Sequence, residues 1–126
     1  MNLFSKITRV RARHCFFFNN LLIFVVEPEL VSRAVGENGA NIRQISMITR
    51  RRVKVIASPK PTEIEKFVRE LVYPIKFKRL VIESNVITIL AGPQSKAMLI
   101  GRDRSKINQL LEVLKRYFEI NALKVI

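Results

Sequence analysis

The spacing of apolar residues predicts strands and helices in alternation. Between residues 9 and 18, apolar side chains alternate with arginines at positions 9, 11 and 13, which is the period of a strand with one wet face. The polar pair Asn19-Asn20 is suited to a tight hairpin turn, and residues 21–27 continue as an apolar partner strand. After Pro28, apolar residues recur at helical spacing as far as Gly36, which is expected to end this short helix.

The next segment predicts a longer helix and a closing strand. Ile42, Ile45 and Ile48 give the helix one apolar face, and residues 53–57 have the β-branched composition of a strand. The Ser-Pro-Lys-Pro sequence at residues 58–61 is expected to form a linker, because its prolines interrupt both helices and strands.

The second half of the chain begins with an additional predicted helix. Thr62 and Glu65 have the spacing of a capping box, which marks the start of a helix. The apolar stripe of this helix consists of Ile64, Phe67, Val68, Leu71, Val72 and Ile75. The later elements are expected in the order strand, strand, short helix, long helix and strand, at residues 80–82, 86–90, 96–100, 107–118 and 123–126.

The two halves carry the same pattern. Residues 16–45 align with residues 81–110 without a gap, at a constant offset of 65 positions. The matched pairs include Asn20 with Asn85, Pro28 with Pro93, Gly36 with Gly101, Ile42 with Ile107 and Gln44 with Gln109. We therefore predict two α+β domains, residues 1–58 and 59–126, each with a three-stranded sheet packed against helices. The first is expected to have a short N-terminal helix or none.

A glycine loop that leads into a helix is part of the repeat. Its first copy is Gly36-Glu37-Asn38-Gly39, and its second copy, at residues 101–104, is Gly-Arg-Asp-Arg. Glycine lets the main chain turn sharply, and the first N–H groups of the following helix lack partners within that helix, so such a loop can cradle a phosphate. For either loop alone, a helix end followed by a simple turn is an alternative that needs no ligand.

Charge indicates which anion such a loop would meet. The chain has 23 Lys and Arg against 10 Asp and Glu, a net charge of +13, and a pI near 10.8. This balance favours a polyanionic partner, with nucleic acid as the first interpretation and an anionic membrane surface as the alternative. With 48% hydrophobic residues the chain is expected to be globular. No stretch approaches the length of a membrane span, so a cytoplasmic location without membrane attachment is expected.

The composition disfavours catalysis and metal binding. His14 and Cys15 are the only residues of their types, too few for a zinc site, and both are expected on a strand. An RNA-cleaving enzyme would need clustered carboxylates or a paired histidine, whereas the acidic residues here are scattered. We therefore expect no enzyme activity, no metal and no cofactor. A purely structural module acting through protein contacts stays open, and it predicts no salt-dependent RNA binding.

The sequence Val35-Gly-Glu-Asn-Gly-Ala-Asn-Ile42, inside this order of elements and repeated in tandem, resembles the K-homology (KH) fold of the prokaryotic, type II variety. The tandem pair is similar to the KH region of the NusA family of transcription factors, and in particular to its short archaeal members. The resemblance covers nearly the whole chain. It implies a non-enzymatic protein that binds nascent transcript near RNA polymerase and modulates elongation, termination or antitermination. Because KH units also occur in ribosomal proteins, binding of ribosomal RNA or a role in ribosome assembly is the alternative.

The resemblance also implies where RNA binds. In KH domains a Gly-x-x-Gly loop grips about four nucleotides of single-stranded RNA, and the bases lie between helix and sheet. Asn41, Arg43 and Arg33 are then expected to meet the RNA backbone, and Val35, Ile42 and Val55 to contact bases. The complete set of expected RNA-binding residues is Arg33, Val35, Gly36, Glu37, Asn38, Gly39, Ala40, Asn41, Ile42, Arg43, Gly101, Arg102, Arg104 and Lys106.

Both loops depart from the family pattern. Family loops commonly carry a basic residue between the glycines, where this chain has Glu37 and Asn38, and Arg104 replaces the last glycine of the second copy. We expect the first unit to be the principal site and the second to bind through its charges or to serve as a scaffold. The arginines at positions 9, 11 and 13 and at 50–52 are either solvated surface or a further attraction for the RNA backbone.

Overall fold

The computed structural model describes residues 3–126, which form two compact units that divide between Ser58 and Pro59. The first unit contains α1 (Leu3–Thr8), β1 (His14–Phe18), β2 (Leu21–Val26), α2 (Val31–Val35), α3 (Ala40–Thr49) and β3 (Arg52–Ala57). The second unit contains α4 (Ile64–Val72), β4 (Arg79–Glu83), β5 (Val86–Leu90), α5 (Pro93–Ile100), α6 (Ser105–Lys115) and β6 (Ala122–Val125). Single 3₁₀ turns occur at Pro28–Leu30, Glu37–Gly39 and Arg102–Arg104.

Each unit has one three-stranded mixed sheet packed against helices. The strand orders are β1-β2-β3 and β4-β5-β6, and in both sheets the first pair is antiparallel and the second is parallel. The parallel strand returns to the sheet after a pair of helices, as a crossover connection requires. The predicted α+β class with two three-stranded sheets is confirmed.

Two-residue turns close both hairpins. Asn19 and Asn20 have φ angles of 51° and 64°, and Ser84 and Asn85 have 50° and 63°. Positive φ at both central residues is the signature of the type I′ turn, whose twist matches that of the flanking strands. The hairpin turns predicted from the polar pairs are therefore confirmed.

The core of the first unit lies between its sheet and its helices. Phe4 of α1 stacks on Phe24 of β2 with ring centroids 4.1 Å apart. α1 ends at Thr8, whose hydroxyl donates to the Phe4 carbonyl at 2.8 Å and accepts from the Val10 N–H at 3.0 Å. The buried residues of this cluster are Phe4, Val10, Leu22, Phe24, Val26, Ala34 and Ile45.

The strand predicted for residues 9–18 is wrong in its first half. β1 begins only at His14, and Arg9 has a left-handed φ of 59°. Val10 is buried in the cluster on the helix side, whereas Phe16 pairs with Ile23, on the opposite face of the sheet from Phe24. A continuous strand would place Val10 and Phe16 on the same face. The apolar alternation therefore spans a connecting segment and a strand.

In the second unit, all six residues of the predicted stripe are buried, and five of them lie on α4 as predicted. The sixth, Ile75, lies beyond the end of the helix at Val72. The capping box is wrong. The N-cap is Glu63, without a side-chain capping bond, and Glu65 instead forms an ion pair with Arg69 at 2.9 Å. The carboxylate of Glu63 accepts from the Lys60 N–H, which positions the chain before the helix.

Two further helical predictions need correction. Ile48 is 56% exposed, so only Ile45 of the predicted apolar face of α3 is buried, with Ile42 half-buried. α5 begins at Pro93 rather than near residue 96, because proline is well suited to the first helical position. No helix within residues 3–126 has the length and apolar character needed to cross a bilayer.

Candidate nucleic-acid interface

The first loop (residues 36–39) connects α2 to α3 through a fixed main-chain path. Gly36 has φ 83° and ψ 166°, followed at Asn38 by 54° and 29° and at Gly39 by 74° and 18°. The Gly39 N–H donates to the Gly36 carbonyl at 3.1 Å, and the Gly36 N–H to the Ser32 carbonyl at 3.0 Å. The loop is therefore a defined turn between the end of α2 and the N terminus of α3.

The second loop (residues 101–104) follows the same path. Gly101 has φ 73° and ψ 175°, Asp103 has 53° and 32°, and Arg104 has 61° and 21°. The Arg104 N–H donates to the Gly101 carbonyl at 3.3 Å, the equivalent of the bond in the first loop. The absence of the last glycine has not changed the main-chain shape.

The main-chain angles explain why both loops have glycine at the first position and only the first loop has it at the fourth. Gly36 and Gly101 lie in a region of φ and ψ that is open essentially to glycine alone. Gly39 and Arg104 lie in the left-handed helical region, which other residues enter at a cost of about 1–2 kcal/mol. The main chain thus dictates glycine at the first position of the loop and only favours it at the fourth.

Gly36 also serves the packing of α2 against α3. A Cβ atom at this position would lie 2.9 Å from the main-chain nitrogen and the side chain of Asn41. Gly101 has the same relation to Lys106, whose Cγ would be 2.8 Å away. The bare surface of the first glycine therefore faces the following helix in both units.

Two of the residues expected to bind RNA have hydrogen-bond partners in or next to the loop. The Asn41 Nδ2 donates to the Arg33 carbonyl at 3.1 Å, which ties the start of α3 to the end of α2. The Arg43 guanidinium donates to the Asn38 carbonyl and so braces the left-handed part of the loop. The side chains of Arg33 and Arg43 are exposed, so their charges face solvent beside the loop.

The N termini of α3 and α6 have no side-chain cap. The Ala40 N–H donates to the Glu37 carbonyl, so it is already bonded within the turn. The N–H groups that follow in the first turn of a helix carry partial positive charge, and an anion near them is favoured by about 0.3–1 kcal/mol at a surface. Asn41 and Ile42 occupy these positions in the first unit.

The two loops differ in charge. Glu37 is exposed and gives the first loop a formal charge of −1, whereas Arg102 and Arg104 outweigh Asp103 in the second. All three charged residues of the second loop are exposed, and Lys106 is half-buried. The second loop therefore combines the same shape with a charge that attracts phosphate.

The three apolar residues expected to contact bases lie on α2, α3 and β3. Val35 ends α2, Ile42 lies in the first turn of α3, and Val55 lies on β3, an edge strand of the sheet. All three are half-buried, and Val55 packs against the core cluster. Each therefore retains an exposed portion for contact with a ligand.

His14 and Cys15 lie at a cavity of about 370 Å³ inside the first unit. Its apolar lining includes Phe4, Phe24 and Ile45. Burial raises the pKa of the Cys15 thiol above its ordinary value of 9.0, which disfavours the reactive thiolate at neutral pH. Within residues 3–126 no three metal-ligating side chains are grouped.

The arginines at positions 50–52 follow the C terminus of α3 and are exposed. The guanidinium of Arg51 lies over the ring of Phe17, 4.7 Å from its centroid. Phe17 was not among the residues expected to bind RNA. The signal was present, because Phe17 has the opposite parity to Phe16 and Phe18 and shares that parity with the arginines at 9, 11 and 13.

Comparison with known proteins identifies relatives over almost the whole chain. The sequence is 24% identical to the Halococcus morrhuae protein named "Probable transcription termination protein NusA", over 98% of this chain and 89% of that protein. It is 22% identical to the Thermoplasma acidophilum protein of the same name, over 98% of this chain and 87% of that protein. No family model matches the sequence.

The fold also has a solved counterpart. The crystal structure of APE1850 superposes with a TM-score of 0.66 at 22% identity and covers 98% of this chain and 93% of the other. This likeness supports the fold described above. The two sequence matches show that the chain is similar over nearly all of its length to archaeal proteins named "Probable transcription termination protein NusA".

Proposed function

We propose that this chain is an RNA-binding transcription factor of NusA type, in which two tandem type II KH domains, residues 1–58 and 59–126, hold single-stranded RNA. The observation that carries the proposal is the repeated loop: two turns with the same main-chain angles, each leading into an uncapped helix in a chain of charge +13. Main-chain N–H groups at such a helix start attract phosphate groups without reading sequence.

The names of the relatives suggest that the bound RNA is a transcript. Both relatives are named for transcription termination. We propose that the protein contacts nascent transcript in the cytoplasm, associates with RNA polymerase, and affects elongation, termination or antitermination without enzymatic activity. Copurification with RNA polymerase supports this role, whereas copurification with ribosomal precursors without polymerase contradicts it.

A charge substitution in each loop tests the RNA site. Asn38→Asp places a negative charge in the first loop at a left-handed position that aspartate tolerates, so the turn is expected to persist. Arg102→Glu reverses a charge in the second loop. Each is expected to weaken binding of single-stranded RNA about five-fold or more near 0.15 M salt, and Arg102→Glu to lower the slope of log K against log salt by about one.

Matched controls separate the loops from the net charge. Asn121→Asp makes the same change as Asn38→Asp at an exposed residue before β6, and Lys66→Glu matches Arg102→Glu on an exposed position of α4. Both controls are expected to change affinity less than two-fold. If the loop variants keep their fold by circular dichroism and bind as their controls do, the loops are not the RNA site.

A further inference from the structure

We propose that Phe17 and Arg51 form a stacking platform that binds a base of single-stranded RNA beyond the nucleotides held by the first loop. The proposal rests on the proposed function, and it assigns a separate subsite with a different chemistry, π-stacking in place of phosphate binding. Single-stranded RNA is held in this way on aromatic rings and on the planes of arginine guanidinium groups.

The register of the sheet explains why Phe17 is exposed. Phe17 pairs with Leu22, and Leu22 with Val53, so the three residues lie in one row on the face that the helices cover. β1 is an edge strand, and Phe17 lies at the open end of this row with 51% of its surface exposed, whereas Leu22 is buried. The exposed ring is thus held on a strand rather than on a mobile loop.

Arg51 is held beside the ring by the end of α3. The Arg50 N–H donates to the Ser46 carbonyl at 2.8 Å, and the Ser46 hydroxyl donates to the Arg51 carbonyl at 2.7 Å. Among residues 3–126, the Arg51 guanidinium forms no hydrogen bond and no ion pair. It makes a cation–π contact with the Phe17 ring. Its charge and its plane are therefore available to a ligand.

A cation–π pair in the second unit differs in these respects. Arg69 lies 4.1 Å from the centroid of the Phe77 ring, but Phe77 is only 7% exposed. The Arg69 guanidinium also bonds Glu65 and the carbonyl oxygens of Phe77 and Lys78. The Arg69 side chain therefore links the end of α4 to the chain before β4 through hydrogen bonds. Among the described residues, the Arg51 guanidinium makes no such hydrogen bond.

The position of the platform fits a strand of RNA that leaves the first loop. α3 begins at the loop and ends before Arg50, a rise of about 14 Å over its ten residues. The neighbouring side chains at residues 50–52 are all arginine, which favours an RNA backbone over an apolar protein partner. An RNA longer than the loop's own nucleotides can therefore extend along α3 to Phe17.

The repeat supplies the matched control. Position 82 is the equivalent of position 17 at the offset of 65, and Ile82 lies on the edge strand β4 with 45% exposure. Isoleucine has no ring, so the second unit has no stacking platform here. Phe17→Leu and Ile82→Leu thus change exposed edge-strand residues in the two units, and only the first removes an aromatic ring.

The test compares two RNA lengths. We expect Phe17→Leu to leave binding of an RNA of about four nucleotides unchanged and to weaken binding of a strand three times as long by about five-fold or more. Phe17→Tyr and Ile82→Leu are expected to bind both RNAs as the unsubstituted chain does. A 2-aminopurine base moved along the longer strand should be quenched at one position outside the loop, and Phe17→Leu should abolish that quenching. The chain has no tryptophan to obscure the signal.

The outcomes separate this subsite from the loop. If Asn38→Asp weakens both RNAs while Phe17→Leu, correctly folded, binds the longer strand normally and leaves the 2-aminopurine quenching intact, the platform is rejected and the loop site stands. If Phe17→Leu weakens the short RNA as much as the long one, the ring is not a separate subsite and the proposal is also wrong. Failure of the unsubstituted chain to bind either RNA overturns both.

Discussion

Arg104 and Gly39 occupy the same left-handed position in the two loops, and only one of them is suited to it. A side chain in this region crowds the following carbonyl, which costs about 1–2 kcal/mol. Arg104→Gly removes that cost but adds freedom to the unfolded chain, so we expect a net gain in the free energy of unfolding of about 0.5–1 kcal/mol. Chemical denaturation followed by circular dichroism measures it.

Arg104→Ala is the control, because it removes the guanidinium and keeps the unfavourable conformation. We expect it to leave the free energy of unfolding within about 0.5 kcal/mol of the original. If alanine stabilises the chain as much as glycine does, the arginine charge rather than the backbone is the source of the effect.

At the scale of elements, the angle between α2 and α3 depends on the first glycine of the loop. Gly36→Ala would place a Cβ 2.9 Å from Asn41 in a conformation that alanine does not readily adopt. We expect a loss of about 2–3 kcal/mol in the free energy of unfolding, measured by urea denaturation.

Gly92 offers the comparison for this change. It has an ordinary φ of −71°, and a Cβ there would meet no atom within 4 Å. Gly92→Ala should therefore alter the free energy of unfolding by no more than about 0.5 kcal/mol. Equal losses for the two alanine variants would show that the contact with Asn41 does not restrict position 36.

Much of this arrangement could be predicted from the sequence where the signal is local. The Asn19-Asn20 and Ser84-Asn85 turns follow from residues that tolerate positive φ, and the α4 stripe follows from helical spacing. The limits of β1 could not be predicted, because Val10 is apolar for a different reason from Phe16: it packs against the helix-side core.

The candidate site shows the same division. The positions of the two glycine loops followed from the repeat. The bonds from Asn41 to Arg33 and from Arg43 to Asn38 did not, since they depend on how closely α2 approaches α3. Pattern gives the position of a loop along the chain, whereas the internal partners of its polar side chains are set by packing.

At the scale of the whole molecule, a charge of +13 attracts RNA to much of the surface, and this attraction weakens as salt screens it. Contacts made at the loop should be distinguishable only once this general attraction is reduced. Glu37 tests the point because its exposed carboxylate lies inside the first loop. Near 0.15 M salt, we expect Glu37→Gln to strengthen binding of single-stranded RNA about three-fold, as measured by fluorescence anisotropy.

Glu119→Gln makes the same change at an exposed position after α6. We expect Glu119→Gln to raise RNA affinity by less than half of the gain expected for Glu37→Gln. It makes the net charge more positive but does not change the electrostatic field at the first loop. Equal gains for both variants would mean that net charge alone governs RNA affinity and that the first loop has no special part in it.

The two loops have the same main-chain shape but different charges. Shape and charge, which a single motif would keep together, therefore vary independently in this chain. Only the first position of each loop requires glycine, so the other three positions can change the electrostatic character of the loop without moving the helices on either side. An acidic loop and a basic loop can therefore coexist on one scaffold. Repetition of a main-chain path gives the molecule two places to evolve different ligand preferences at little cost to its fold.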